Sequence, residues 1–254
     1  PSCIHFKIIG EKFMELYYIQ KYTSSKGITN KSKLGPLQNM LKDTLKMLTE
    51  FANSKNYQVG MVISPGYLST TSSTAQDLIN QLTNHNLPTH TWILGTMNGN
   101  NPKNAPKGKK FIDFTFQALH NNATQPSLVS YPSPFKKDHR KMVFFVLWKK
   151  GKQPQLNNKK DIANFIQNIE VPALSVGSSN FSKSTYFMGN DHNEADVLWI
   201  NDNLLEHYNS AIEITNYNTR ADIPSIVKST VDSLPLNLDY LKEILKETLN
   251  SVIA

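Results

Sequence analysis

Two short patterns in this chain carry residue types that could do chemistry together. Asp138-His139-Arg140-Lys141 opens its most apolar run, 140–148. If that run is a strand, alternation puts His139 and Lys141 on one face, about 7 Å apart. An imidazole beside an ammonium suits an anion: one attacks or protonates, and the other neutralises phosphate charge. Downstream, Gly177-Ser178-Ser179-Asn180 follows a second apolar run, 173–177, and its backbone and side-chain donors can hold phosphate oxygens. Glu194 precedes a third run, 196–201, where a carboxylate can orient the imidazole and fix its tautomer. Asp191 and Asp196 are alternatives for that carboxylate. Each pattern occurs once.

Other reactive side chains make weaker cases. No cysteine or second histidine stands at ligand spacing from His192, so neither a metal nor another cofactor is expected. His5, His85, His90, His120 and His207 are scattered, and Cys3 is remote from both patterns. Lys136, Lys137, Arg140, Lys149, Lys150 and Lys152 bracket the apolar run and read as contacts to a nucleic-acid backbone. The segment 97–110, with Lys103, Lys107, Lys109 and Lys110, is either a further backbone contact or a solvated loop.

The elements that must position these residues alternate between helix and strand periodicity. Leu37, Met40, Leu41, Leu45, Leu48 and Phe51 recur at helical spacing over 37–53. A Ser/Thr-rich cap at 69–74 opens a second helix carrying Ala75, Leu78, Ile79 and Leu82. Further helices are expected at 111–121, 161–169 and 238–253. Strands are expected at 59–64, 90–95, 127–132, 140–148, 173–177 and 196–201. This is an α/β pattern with no internal repeat.

At 254 residues and 39% hydrophobic, with 12 Phe, 10 Tyr and 3 Trp, the chain can bury one large core, or one of about 200 residues with an appendage. The net charge of +7 is unevenly spread: residues 191–254 hold 11 acidic against four basic residues (−7), and residues 1–190 hold 23 basic against nine acidic (+14). That asymmetry suits a polyanion-binding body with an acidic tail. No stretch approaches the roughly 18 apolar residues of a membrane span, so no membrane partner is expected. The N-terminal residues lack the basic-then-apolar layout of a secretory signal, and a lone Cys3 can form no internal disulfide. The expected compartment is the cytoplasm.

Order and wording of the motifs carry a family resemblance. His139-x-Lys141, then Lys150-Gly151-Lys152-Gln153-Pro154, then Gly177-Ser178-Ser179-Asn180-Phe181-Ser182, then Glu194 resembles the phospholipase D superfamily. Within it the chain is most similar to the nuclease branch, and to the catalytic domain of NgoFVII-type type II restriction endonucleases. Ile63-Ser64-Pro65-Gly66-Tyr67-Leu68-Ser69 also looks like that branch. The likeness covers about residues 35–205. It implies a phospholipase D-like α/β/α sandwich with a central mixed β-sheet over 1–205. An acidic C-terminal helical extension, 206–254, would follow, or the start of a missing DNA-recognition region.

Carried over residue by residue, the resemblance implies His139 as nucleophile, forming a phospho-histidine. Lys141 and Asn180 would bind phosphate oxygens, Ser178 would add a donor, and Glu194 would support the imidazole, with no metal needed. A single motif copy per chain implies a homodimer with a shared active site, acting on double-stranded DNA. The superfamily's phospholipases carry an aspartate five residues after the lysine; here that place is Val146, which favours a nuclease over a lipid enzyme. A lipid phosphodiesterase and a catalytically inactive DNA-binding relative are the alternatives.

Overall fold

The run Lys141–Lys149 has no polar face: Val143, Phe144, Phe145, Val146, Leu147 and Trp148 are each at most 2% exposed. A strand apolar on both faces must be covered on both sides, and that requirement organises the molecule. The computed structural model describes residues 14–21, 36–66, 90–94, 127–130, 139–152, 154–156, 158–179, 194–201, 226–231 and 240–253. Within these the chain folds as β1 (Met14–Lys21), α1 (Pro36–Lys55), β2 (Tyr57–Pro65), β3 (His90–Ile93), β4 (Ser127–Ser130) and β5 (Lys141–Lys149). There follow α2 (Asp161–Gln167), β6 (Glu170–Gly177), β7 (Glu194–Asn201), β8 (Ile226–Val231) and α3 (Tyr240–Val252).

All eight strands join one mixed sheet in the order β4-β3-β2-β5-β6-β7-β1-β8. β2, β3 and β4 are parallel, and every other neighbouring pair is antiparallel. On one face of β5, Phe144, Val146 and Trp148 pack with Ile162 and Phe165 of α2 and with Leu241, Leu245 and Leu249 of α3. The Trp148 ring meets Trp92 edge-on at 5.9 Å, and its Nε1 donates to Gln58 Oε1 at 3.1 Å. Gly60 makes this possible, since a Cβ there would lie 2.6 Å from the Trp148 ring. Val143, Phe145 and Leu147 point the other way. α1, whose buried stripe is Leu37, Met40, Leu41, Leu45 and Leu48, packs on β2 and β1. Helices therefore cover a central mixed sheet on both sides, the expected α/β fold.

Two expectations need correction. Glu194 begins β7 and does not precede it. The division at residue 205 also fails: β8 pairs with β1, and α3 supplies Leu241, Leu245, Leu249 and Val252 to the same core as β5. Within the acidic segment, residues 226–231 and 240–253 are thus built into the sheet and its covering layer. β1 and β8 were not foreseen, because neither MELYYIQK nor IVKSTV stands out as a long apolar run. The elements expected at 69–82, 97–110 and 111–121 lie outside the described residues.

Candidate active site

Antiparallel pairing brings three distant pieces of sequence to one edge of the sheet. Met142 of β5 pairs with Val176 of β6, and Gly177 pairs with Asp196 of β7. The start of β5, the end of β6 and the start of β7 therefore stand side by side, about 4.8 Å from strand to strand. Residues 139–141, 177–179 and 194–196 share this edge for that reason alone.

At the β5 entry, Lys141 Nζ donates to His139 Nε2 at 3.0 Å and to the His139 carbonyl at 3.1 Å. Where Nε2 carries no proton it accepts from the Lys141 ammonium, which can only donate. His139 is exposed and Lys141 is half-buried. Burial pushes the Lys141 ammonium below its ordinary pKa, while the Glu194 and Asp196 carboxylates pull it back up. The intervening Arg140 serves the scaffold. Its carbonyl accepts from Ser64 Oγ at 3.2 Å, and its Nη1 donates to Ser251 Oγ of α3 at 2.5 Å.

The second piece is clamped to the third. Ser178 N–H donates to the Ala195 carbonyl at 2.9 Å, and Ala195 N–H donates back to Ser178 Oγ at 3.0 Å. The Ser178 hydroxyl donates to Glu194 Oε2 at 2.5 Å, and the Ser179 hydroxyl donates to Asp196 Oδ2. Gly177 permits this closeness, since a Cβ there would meet the Ala195 carbonyl and sit 2.6 Å from Asp196 Cα. Asp196 is 2% exposed. Burial raises its pKa from 3.8 to about 6, against hydrogen bonds from the side chain and backbone of Ser179; Glu194 adds to the rise and Lys141 opposes it.

The structure thus brings together His139, Lys141, Ser178 and Glu194, but with different partners from those expected. Glu194 accepts from Ser178, and the bonded partner of His139 is Lys141, so Glu194 does not hold the imidazole. The Ser178 hydroxyl faces Glu194 and donates to it. Arg140 reaches α3 through its bond to Ser251. Lys149, Lys150 and Lys152 do not flank the start of β5: Lys149 is its last residue, roughly 26 Å from Lys141 at about 3.3 Å per residue, and Lys150 and Lys152 follow it. There Lys149 and Lys152 border a separate recess of about 360 Å³ with Tyr57, Gln167, Asn168 and Glu170. Asn180, Lys136 and Lys137 lie outside the described residues.

From sequence, Ser179 was only one member of a phosphate-holding turn, and Asp196 only a substitute for Glu194. The available signal was the spacing: carboxylates at 194 and 196 share one face of a strand, opposite two consecutive serines. Among the described residues no group of three His, Cys, Asp or Glu side chains could hold a metal ion. No described helix is long and apolar enough to cross a membrane.

Neither a protein-family model nor a curated protein matches the chain. Solved structures that resemble it include yeast tyrosyl-DNA phosphodiesterase, at 11% identity and a TM-score of 0.35, over 75% of this chain and 48% of that one. A His-to-Asn variant of the same yeast protein matches at 11% identity and a TM-score of 0.34, over the same shares. The chain spans about half the length of these structures.

Proposed function

We propose that this chain is a phospholipase D-like phosphodiesterase that cuts double-stranded DNA without a metal, using His139 as nucleophile. One observation carries the reading: His139 Nε2 held 3.0 Å from Lys141 Nζ at an open sheet edge. A phosphodiester entering there offers Lys141 a better acceptor, a charged oxygen in place of a ring nitrogen. As the ammonium shifts to the phosphate, the Nε2 lone pair is freed to attack phosphorus. The P–O bond to the leaving group breaks, and that oxygen takes a proton from a second histidine. With one motif per chain, the second is His139 of the partner subunit in a homodimer with a shared site. Water then attacks the phospho-histidine, passes its proton to the same histidine, and the P–N bond breaks.

The setting we favour is type II restriction in the cytoplasm, following the motif resemblance. In this reading Asn180 joins Lys141 on the phosphate oxygens, and Lys136 and Lys137 contact the DNA backbone nearby. The test is plasmid cleavage in EDTA by wild type and His139→Ala. Cleavage that persists in EDTA and falls at least about a thousandfold in the variant is expected. Activity lost in EDTA, or retained by His139→Ala, defeats the mechanism. Hydrolysis of phosphatidylcholine vesicles with DNA left intact would point to the lipid enzyme, and no cleavage of either substrate to an inactive DNA-binding relative.

A further inference from the structure

We propose that Asp196 is a positioning residue: through Ser179 it locks the Gly177–Ser179 turn onto β7 and so sets the β6 side of the site. The inference rests on the phosphodiesterase reading for its functional part only. Three observations converge on it. Asp196 is 2% exposed, yet it is a carboxylate. The Ser179 hydroxyl, itself on a buried residue, donates to it. Gly177, directly opposite in register, leaves no room for even a methyl between the two strands.

A carboxylate removed from water is an unfavourable choice unless the charged form does something an apolar residue could not. Here it receives donors from the side chain and the backbone of Ser179. Charge-assisted bonds of this kind are roughly twice as strong as neutral ones. Together with the Ser178–Glu194 bond they make two adjacent rungs between turn and strand, one at the surface and one buried. The outer rung is open to water and competes with it; the buried rung does not. The inner pair is therefore the one that decides where the chain leaves β6 on its way to Asn180.

Protonation of Asp196 converts the inner rung from charge-assisted to neutral, so the clamp loosens on acidification. The charged groups whose fields reach Asp196 are Glu194 on its own strand, which opposes ionisation, and Lys141 from β5, which favours it. β6 contributes the neutral Ser179, and Ile19 is the register partner on β1. Burial places the transition near pH 6.

The experiment measures amide hydrogen exchange across 176–179 together with kcat and KM for plasmid cleavage between pH 5 and 8. It uses the full chain as wild type, Ser179→Ala, Asp196→Ala and Asp196→Asn. Expected is at least a tenfold loss of protection at the turn in Ser179→Ala and Asp196→Ala. Turnover should fall at least tenfold in both, with KM within threefold of wild type. Asp196→Asn keeps an acceptor oxygen and should recover part of the protection and turnover, with a flatter pH profile than wild type between 5 and 7. Ser179→Ala keeps the buried carboxylate and removes only one hydroxyl, so it decides the matter if Asp196→Ala does not fold. Unchanged protection in Ser179→Ala overturns the clamp. Lost protection with unchanged turnover overturns its positioning role, as does a pH profile in Asp196→Asn identical to wild type. If wild type cuts no phosphodiester, the function reading fails, while exchange at the turn still decides whether the clamp exists.

Discussion

The two ends of β5 are both cationic, and they are not equivalent. At its start, Lys141 is half-buried, bonded to His139 and drawn by the carboxylates of Glu194 and Asp196. At its end and in the turn beyond, Lys149, Lys150 and Lys152 are exposed, and Gly151 bends the chain at φ 84°. The difference lies in the neighbours. β6 and β7 arrive at the first end carrying a hydroxyl-carboxylate lattice, whereas Lys149 meets Tyr57 of β2 across a solvated rim. Charge density along a sequence is therefore a poor locator of chemistry. What creates a reactive cation is partial removal from water beside fixed dipoles and charges.

Swapping the insult between the two ends should give the largest contrast. Under the proposed mechanism, Lys141→Ala is expected to slow DNA cleavage at least about a hundredfold, because that mechanism places the ammonium on the phosphoryl transition state. Lys149→Ala should change it less than threefold. Equal losses at both ends, read from single-turnover rates, would erase the distinction drawn here.

Asp196 sharpens the contrast through stability. Its pKa in the folded state is raised from 3.8 to about 6, so folding favours the protonated form. That contribution is fully present below pH 3.8 and is lost as pH rises through about 6. A shift of this size corresponds to on the order of 3 kcal/mol opposing the folded state at pH 8. Asp196→Asn should then be more stable than wild type in urea at pH 8, and the gap should close by pH 4, even as turnover falls. A variant less stable than wild type at pH 8 would mean that the ionised carboxylate is a net stabiliser.

Arg140 tests whether a cation inside the motif belongs to the site or the scaffold. Arg140→Ala should remove the bond to Ser251 and lower stability by roughly 1–2 kcal/mol, with turnover within threefold of wild type. A hundredfold loss of turnover at unchanged stability would return Arg140 to the active site. The smallest effect should come from replacing Lys149, Lys150 and Lys152 together by alanine. If the far end touches no DNA backbone, the dependence of log affinity on log salt keeps its slope; each real contact would reduce it by about 0.9.

Much of the central sheet was legible because its signals are local. β5 is a continuous apolar run, α1 buries Leu37, Met40, Leu41, Leu45, Leu48 and Phe51 at helical spacing, and β2 ends at Pro65, with Gly66 in the turn after it. β1 and β8 were not legible, because what makes them strands is their pairing with β7 and with each other at the sheet's far side. The domain boundary at 205 failed for the same reason. An acidic segment reads as an appendage until a partner strand more than 200 residues earlier pairs with part of it.

By itself the sequence determined which groups could act. His139 and Lys141 are two residues apart at the entry of β5, close enough along the chain for their side chains to meet without a distant segment bringing them together. The sequence could not determine whom the other groups would serve. Glu194 binds Ser178, Asp196 takes Ser179, and Arg140 reaches Ser251 of α3, each across a gap of 16 to 111 residues. Those choices depend on strand register, where a slip of one residue sends every side chain to the opposite face. Register is decided by the packing of the whole sheet.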